Sequence, residues 1–350
     1  MSFVTEPKPT ISVVIAVYNG ANFLRQCLPA LVATADKNTE IILVDDGSTD
    51  DSAEIGTQYG ASVITLAKKS GAANARNSGV RQAAGEIILF IDADVVVQAD
   101  TIRDLRALFA KNPDHTAIFG SYDATPGEPD FFSQYRNLMH HFFHQTSGGE
   151  ADTFWSGFGA VRRKAFMDVG GFDAEKFEIP SVEDIELGYR LRDKGHRILL
   201  VPELQAKHLK KWSFGSILRT DFWQRAVPWA ELILLNPRVA HNLNVKNSQK
   251  LSALLAGMFL LSLPLIAWRL WFVAAAVSCL LALIAVNGKF YRFFLKRKGF
   301  FFTVAVLPMH LLYFLYSSGA FFFSWFNVKI LGREIIVRQT KRLDRDSTRK

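Results

Sequence analysis

Short apolar runs alternate with amphipathic segments along the first hundred residues of the chain. Four of the runs predict strands, at residues 11–17, 41–44, 62–66 and 87–91. The three segments between them carry apolar residues at helical spacing, so strands and helices alternate. This alternation is typical of a parallel sheet wound by right-handed crossovers. The sequence therefore predicts an α/β domain.

The fourth apolar run carries the first candidate chemistry. Ile87–Ile91 has no polar position, which predicts a strand buried on both faces, and it ends in Asp92-Ala93-Asp94. Ligands of open α/β sheets bind beyond the carboxyl ends of the strands, and two carboxylates there suit a hard divalent cation that bridges phosphate oxygens. Asp-x-Asp is also common in turns and helix caps, so a capped turn remains an alternative.

The α/β pattern continues to about residue 212. Three histidines, His140, His141 and His144, lie on an aromatic-rich helix, where positions i and i+4 share a face. No carboxylate or cysteine at matching spacing completes a metal site, so a packing or membrane-facing helix is favoured. The predicted elements are helix 101–111, strand 116–121, helix 129–145, a Gly-rich strand and turn at 154–172, a helix from Glu183 to Lys194, and strand 197–201.

Long apolar stretches replace this pattern after about residue 250. Residues 251–268, 270–286 and 300–326 each approach the roughly 17 to 25 residues that a membrane-spanning helix needs, which predicts three spans. The predicted organisation is an α/β domain at 1–212, an amphipathic interfacial segment at 213–248, a membrane domain at 251–326 and a basic tail at 327–350.

The net charge of +8 could indicate nucleic acid, but the basic residues concentrate around the apolar stretches. They are Lys289, Arg292, Lys296, Arg297, Lys298, Lys329, Arg333, Arg338, Lys341 and Arg342. This distribution favours binding to anionic lipid headgroups over binding to nucleic acid, and we expect no nucleic-acid partner.

The same charges make the predicted membrane topology conflict with the preference of basic segments for the cytoplasmic side. With segment 289–298 inside, a third crossing puts the basic tail outside; the length of 300–326 favours that crossing over re-entry. Residues 1–9 do not have the pattern of a secretory signal. We therefore expect a multi-pass protein of the inner (plasma) membrane with its catalytic domain in the cytoplasm.

Cys27 and Cys279 predict neither a disulfide nor a zinc site.

Two common nucleotide motifs are missing from the sequence. No Gly-x-Gly-x-x-Gly follows the first strand and no Walker loop occurs, so neither a dinucleotide fold nor a P-loop is favoured. Acidic residues stand at strand ends instead, with Asp45 and Asp46 after the second strand. A carboxylate there can accept a hydrogen bond from a base imide or a ribose hydroxyl.

Taken in order, Val13–Asn19, Ile42–Asp50, Ala73–Gly79 and Asp92–Asp94 resemble the nucleotide-sugar half of family 2 inverting glycosyltransferases of the GT-A fold. That resemblance implies a Rossmann-like mixed sheet followed by C-terminal transmembrane helices. It implies that a nucleotide-diphospho-sugar, of UDP type, is bound by Ala16, Tyr18, Asp45, Asp46, Arg76 and Asp92. It further implies that Mg²⁺ or Mn²⁺ is bound by Asp94, Asp92 and His208.

The resemblance also assigns the reacting carboxylate. Glu183-Asp184 opens a helix, where acids are favoured by the helix dipole in any case. Inverting transfer is a single displacement that needs one base for the acceptor hydroxyl, and Asp184 matches the family's Glu-Asp motif. Acceptor contacts are expected from Gly157, Phe158, Glu183, Trp212, Arg225 and Trp229.

The expected function is therefore transfer of a sugar to a lipid-linked or membrane-proximal glycan acceptor. One alternative is a processive polysaccharide synthase, but Gln224–Trp229 departs from the Gln-x-x-Arg-Trp motif because Arg225 is offset and Pro228 takes the arginine position. The other is a catalytically inactive nucleotide-binding membrane adaptor, which would have no need of Asp184.

Overall fold

The computed structural model describes residues 11–235 and 247–335, and these divide into two units, residues 11–213 and the described residues from 214 to 335. The predictions for residues 1–9 and for most of the basic tail lie outside the described residues. In the first unit the strands are β1 (Ile11–Val17), β2 (Thr39–Asp45), β3 (Ser62–Thr65), β4 (Ile87–Ile91), β5 (Val95–Val97), β6 (His115–Tyr122), β7 (Gly149–Ala151), β8 (Phe158–Arg162) and β9 (Arg197–His208).

All of these strands belong to one mixed sheet. Its order is β3-β2-β1-β4-β8-β6-β9-β5, and β7 pairs with β9. The first four strands are parallel, as the alternating pattern predicts, whereas β8 runs antiparallel to both β4 and β6. The predicted parallel unit is thus confirmed, and it is extended by strands that come from the second half of the unit.

The helices of the first unit follow the predicted order. They are α1 (Ala21–Thr34), α2 (Ser52–Gln58), α3 (Ala72–Gln82), α4 (Thr101–Lys111), α5 (Phe131–Gln145), α6 (Arg163–Asp168) and α7 (Glu183–Asp193). The Asp130 side chain caps α5 by accepting from Ser133 N, which explains why this helix begins after the predicted start.

The centre of the sheet is apolar on both faces. All five residues of β4 are buried, as predicted for a strand that lies between β1 and β8. Helix α3 packs closely on this region at Gly79, where a Cβ atom would lie 2.5 Å from a methyl group of Val14. The glycine therefore sets how near α3 comes to the sheet, and with it the position of the residues on its first turns.

The second unit is helical in its described residues. It contains α8 (Phe214–Arg219), a π-helix (Thr220–Ala226), α9 (Val227–Leu235), α10 (Asn247–Leu265), α11 (Trp271–Val286), α12 (Gly288–Trp325) and a second π-helix (Phe326–Ile330). Two helical segments, Asn247–Leu265 and Gly288–Ile330, are long and apolar enough to cross a membrane. Helix α11 has 16 residues and is shorter than such a span, so the prediction of three crossings is not confirmed.

The basic segment at 289–298 is the first part of α12. The helix is interrupted at Gly299, whose φ of 80° lies in the left-handed region. Phe290, Tyr291 and Phe294 are buried, whereas the cationic side chains of this segment are exposed. A helix with one buried aromatic side and one cationic side therefore precedes the apolar stretch.

Candidate active site

Two loops at the carboxyl ends of β1 and β2 are joined by side-chain hydrogen bonds. Asn19 has a left-handed backbone (φ 51°), and its Oδ1 accepts from Thr49 N at 2.8 Å. The Asp50 carboxylate accepts from Ala21 N at 3.0 Å, at the start of α1. Tyr18 projects from this pair of loops with 43% of its surface exposed, and the Lys69 ammonium lies 3.8 Å from the centre of its ring. The two loops are thus held together by hydrogen bonds and are open to solvent at the carboxyl edge of the sheet.

The two acids at the carboxyl end of β2, Asp45 and Asp46, bind groups of nearby loops. Asp46 accepts from Ser70 N and Oγ, both at 2.7 Å, and from Gly71 N at 2.9 Å. Asp45 accepts from Ser48 N at 2.9 Å. Both carboxylates therefore hold loops in place, and their predicted contacts with a base or ribose, like that of Ala16 at the end of β1, stay predictions.

Arg76 on α3 joins the end of β4 to the start of α7. Its Nη2 lies 2.7 Å from Asp92 Oδ1 and its Nη1 lies 2.9 Å from Glu183 Oε1. Burial opposes the charge of Arg76, but Asp92 and Glu183 raise its pKa, so the guanidinium stays charged. Glu183 is also buried, and its second oxygen accepts from Ser181 N. These bonds hold Arg76, Asp92 and Glu183 to one another, so their predicted contacts with nucleotide, metal and acceptor stay predictions.

Asp184 is held beside the segment that precedes β8. Its Oδ2 accepts from Ser156 N at 3.0 Å and from Ser156 Oγ at 3.2 Å, and its Oδ1 accepts from Ile185 N. Gly188 allows α7 to approach this segment, since a Cβ atom there would lie 2.4 Å from Phe154 N. Burial, followed by the negative charge of Glu183, raises the pKa of Asp184 to about 7. A carboxylate with this pKa can accept a proton near neutral pH.

Asp94 and His208 form a second polar pair, which we call the cation pair. Their positions follow from strand pairing, because Val95 of β5 lies opposite His208 at the end of β9. Asp94 Oδ2 and His208 Nε2 are 3.4 Å apart. Although burial opposes its ionisation, the contact with His208 and the charge of Lys210 lower the pKa of Asp94, so this carboxylate is ionised at neutral pH.

The side chains of the cation pair are of the types that bind divalent cations, but two side chains supply only part of a coordination shell. Carboxylate and imidazole are both ligands of Mn²⁺ and related ions. No group of three or more His, Cys, Asp or Glu side chains among residues 11–235 and 247–335 is arranged to hold a metal ion. Substrate phosphates and water would therefore complete the shell, as is usual for Mg²⁺ sites.

The three histidines of α5 serve packing in part. His141 Nδ1 donates to Tyr122 O at 2.7 Å and His144 Nδ1 donates to Gly120 O at 3.0 Å, so both rings fasten α5 to β6. The His140 ring packs between Tyr122 and Trp155. The preference for a packing helix over a metal site at these positions agrees with these contacts.

Of the predicted acceptor residues, Phe158 is fully buried in the hydrophobic core. Because β8 is an inner strand, this side chain faces the packed layer, and its acceptor role stays a prediction. Gly157 O accepts from Asp92 N, and Trp212 is buried with its N donating to Ser133 Oγ. Arg225 and Trp229 belong to the second unit, where Arg225 pairs with Asp221 at 3.1 Å, and their acceptor roles stay predictions.

Two residues with a clear place in the site were not singled out from the sequence. Ser156 binds Asp184, and Asn137 of α5 binds His208 Nδ1 at 2.5 Å. Ser156 falls within the Gly-rich strand and turn predicted at 154–172, next to the predicted acceptor residue Gly157, and a serine there was a usable signal. Asn137 belongs to no motif, because its partner is 71 residues away in the chain.

The chain has relatives among known proteins. Residues 12–170 match the model of glycosyl transferase family 2. The chain is 25% identical over 231 residues to poly-beta-1,6-N-acetyl-D-glucosamine synthase of Staphylococcus aureus, a match that covers 63% of this chain and 54% of the relative. The chain therefore spans about half the length of this curated relative.

Solved structures share the fold. A mannosyltransferase of Pyrobaculum calidifontis in complex with GDP-Man and Mn²⁺ superposes with a TM-score of 0.58 at 16% identity, covering 91% of this chain and 88% of that one. Residues 1–349 of S. aureus TarS in complex with UDP-GlcNAc give a TM-score of 0.51 at 17% identity, covering 93% of each chain. The predicted GT-A-like fold is confirmed, and residues 12–170 are a glycosyl transferase family 2 domain, as predicted.

Proposed function

Because residues 12–170 are a glycosyl transferase family 2 domain, we propose that this chain transfers a sugar from a nucleotide-diphospho-sugar to an acceptor hydroxyl by a single displacement. The observation that carries the proposal is Asp184. It is a carboxylate with a pKa of about 7, oriented by Ser156 and linked through Glu183 and Arg76 to the carboxyl end of β4.

In this reaction Asp184 takes the proton of the acceptor hydroxyl while that oxygen attacks the anomeric carbon. Its raised pKa suits the task, since a base is most useful when its pKa lies near the working pH. Ser156 N and Oγ hold the carboxylate on one side, so the carboxylate keeps a fixed direction. Arg76 holds Glu183, the neighbour of the base, against Asp92.

Asp94 and His208 are the residues that would hold Mg²⁺ or Mn²⁺. When bound, such an ion supplies positive charge that offsets the developing charge of a diphosphate leaving group. Chains of the same fold bind UDP-GlcNAc in one case and GDP-Man with Mn²⁺ in another, which makes these two nucleotide sugars the first donors to test.

We propose further that the acceptor is lipid-linked or otherwise close to the inner membrane, on the cytoplasmic side. Two apolar helical segments, Asn247–Leu265 and Gly288–Ile330, support attachment to a bilayer. The exposed cations of 289–298 support contact with anionic headgroups, each contributing about 1 kcal/mol near such a surface.

Polymer synthesis is the second candidate, favoured by the similarity to a poly-beta-1,6-N-acetyl-D-glucosamine synthase. The altered Gln224–Trp229 segment argues for transfer of one sugar or a few. The two candidates differ in product length, which mass spectrometry resolves.

The test uses the full chain in membranes, a panel of UDP- and GDP-linked sugars, and Mn²⁺. We expect release of nucleoside diphosphate from one donor class and a matching mass increase in a lipid-linked product. Membranes that carry Asp184→Asn are the matched control and should lack both. Absence of turnover for every donor would reject the proposal in favour of a nucleotide-binding adaptor.

A further inference from the structure

Asn137 lies on α5 behind the ring of His208 and is almost fully buried, with 2% of its surface exposed. Its Nδ2 donates to Ser133 O at 3.0 Å, and its Oδ1 lies 2.5 Å from His208 Nδ1. The side chain is therefore bound at both ends of its amide, once to its own helix and once to the imidazole.

These two contacts determine where the proton of His208 resides. A backbone carbonyl can only accept, so the amide nitrogen of Asn137 must face Ser133 O and the amide oxygen must face the ring. That oxygen can also only accept, so His208 Nδ1 must carry a hydrogen. In a neutral imidazole the other nitrogen, Nε2, then has a free lone pair.

The lone pair faces the carboxylate of the cation pair. His208 Nε2 is 3.4 Å from Asp94 Oδ2. Two electron-pair donors at this separation require either a proton on Nε2 or a cation that both of them bind. The ring cannot turn away easily, because Tyr122 stacks on it with a centroid separation of 4.2 Å and an angle of 8°.

We propose that Asn137 is a positioning residue, which fixes the tautomer and direction of His208 so that Nε2 is presented to a divalent cation shared with Asp94. The inference rests on the proposed function, because it presupposes the cation. Histidine ligands commonly donate their second ring N–H to a carbonyl or carboxylate, and loss of that partner typically weakens metal affinity about 10- to 100-fold.

The test measures Mn²⁺ affinity of the full chain in detergent by the electron paramagnetic resonance signal of free Mn²⁺. It is run with Mn²⁺ alone, with UDP, and with GDP. Asn137→Leu removes the acceptor of the Nδ1 hydrogen and should weaken Mn²⁺ binding about 10- to 100-fold. Asn137→Asp keeps an acceptor at this position and should bind Mn²⁺ nearly as well as the wild type.

Asn112→Leu is the matched control, since Asn112 Nδ2 also donates to the carbonyl four residues earlier, Leu108 O, but at the end of α4. It should leave Mn²⁺ affinity unchanged. Thermal unfolding of each variant reports whether it is folded. As a second measurement, ¹⁵N imidazole shifts of wild-type His208 at alkaline pH should identify the Nδ1–H tautomer.

The outcomes separate the inference from the proposed function. Wild-type affinity in folded Asn137→Leu, or an Nε2–H tautomer in the wild type, would overturn the role of Asn137 and leave the proposed cation in place. No Mn²⁺ binding by the wild type with either nucleotide would reject the cation itself, and the role of Asn137 with it.

Discussion

Replacing Asp184 by asparagine should make the protein both less active and more stable. The substitution keeps the size of the side chain, and an amide oxygen can still accept from Ser156 N, but it removes a base. Loss of a general base typically costs about 100- to 10,000-fold in rate. We therefore expect kcat to fall within this range for the donor that the wild type uses.

The gain in stability follows from the pKa of Asp184, which is raised from 3.8 to about 7. The folded state then binds more protons than the unfolded state between about pH 4 and 7, so the free energy of unfolding falls as pH rises through that window. Three pKa units correspond to about 4 kcal/mol, and partial exposure of the side chain reduces this to about 2 kcal/mol. Asp184→Asn should gain this amount at about pH 8 and nothing near pH 4.

Two assays check these values. The pH profile of kcat/KM for the wild type should fall on the acid side, reaching about a tenth of its plateau at pH 6. Denaturant unfolding at acid and alkaline pH should give the stability difference. Asp193→Asn, at the exposed end of α7, is the matched control and should change neither. Transfer by Asp184→Asn at the wild-type rate, or a wild-type profile that stays flat through pH 5, would refute the assignment.

Three further substitutions probe the surroundings of the base. Arg76→Leu leaves the buried Glu183 carboxylate and the partly exposed Asp92 carboxylate without their cation. It should lower the free energy of unfolding by about 3–5 kcal/mol, measured by denaturant titration; a loss within error would contradict this. Ser156→Ala removes a hydroxyl donor to Asp184 and should reduce kcat/KM at mildly acid pH about two- to tenfold while the acid limb moves to higher pH; an unmoved limb would count against it. Gly188→Ala should destabilise the fold by about 1–3 kcal/mol in thermal melts, since its Cβ would lie 2.4 Å from Phe154 N, and wild-type stability would show that α7 has room to shift.

Hydrophobic pattern alone predicted the elements that depend on local sequence. The alternation of β1 to β4 with three helices, and the full burial of β4, follow from runs of apolar residues. The placement of Asp94 at the end of β4 follows from the same pattern. Strand β8, antiparallel between β4 and β6, could not be placed this way, because its partners are set by packing between distant segments.

The partners of the site residues were the less predictable part. Arg76 and Glu183 are 107 residues apart in the chain. A buried ion pair between such distant residues produces no periodic pattern in the sequence from which it could be predicted. The family resemblance assigned Asp184 as the base but did not identify Ser156 as its partner. The family resemblance implied an acceptor contact for Phe158, whereas strand alternation directs its side chain into the core.

The prediction of three membrane spans is not confirmed at one helix. Composition alone made 270–286 a candidate, but α11 forms only over 16 residues, and five residues separate it from the end of α10. Such a helix extends about 24 Å, less than the roughly 30 Å of a bilayer core.

The anomeric configuration of the product distinguishes a single displacement with one base from a mechanism that retains the configuration. With an α-linked donor such as UDP-GlcNAc or GDP-Man, whichever the enzyme uses, ¹H NMR of the isolated product should show the β-configured sugar. An α-configured product would require retention and would contradict the role of Asp184 as the base of one direct attack.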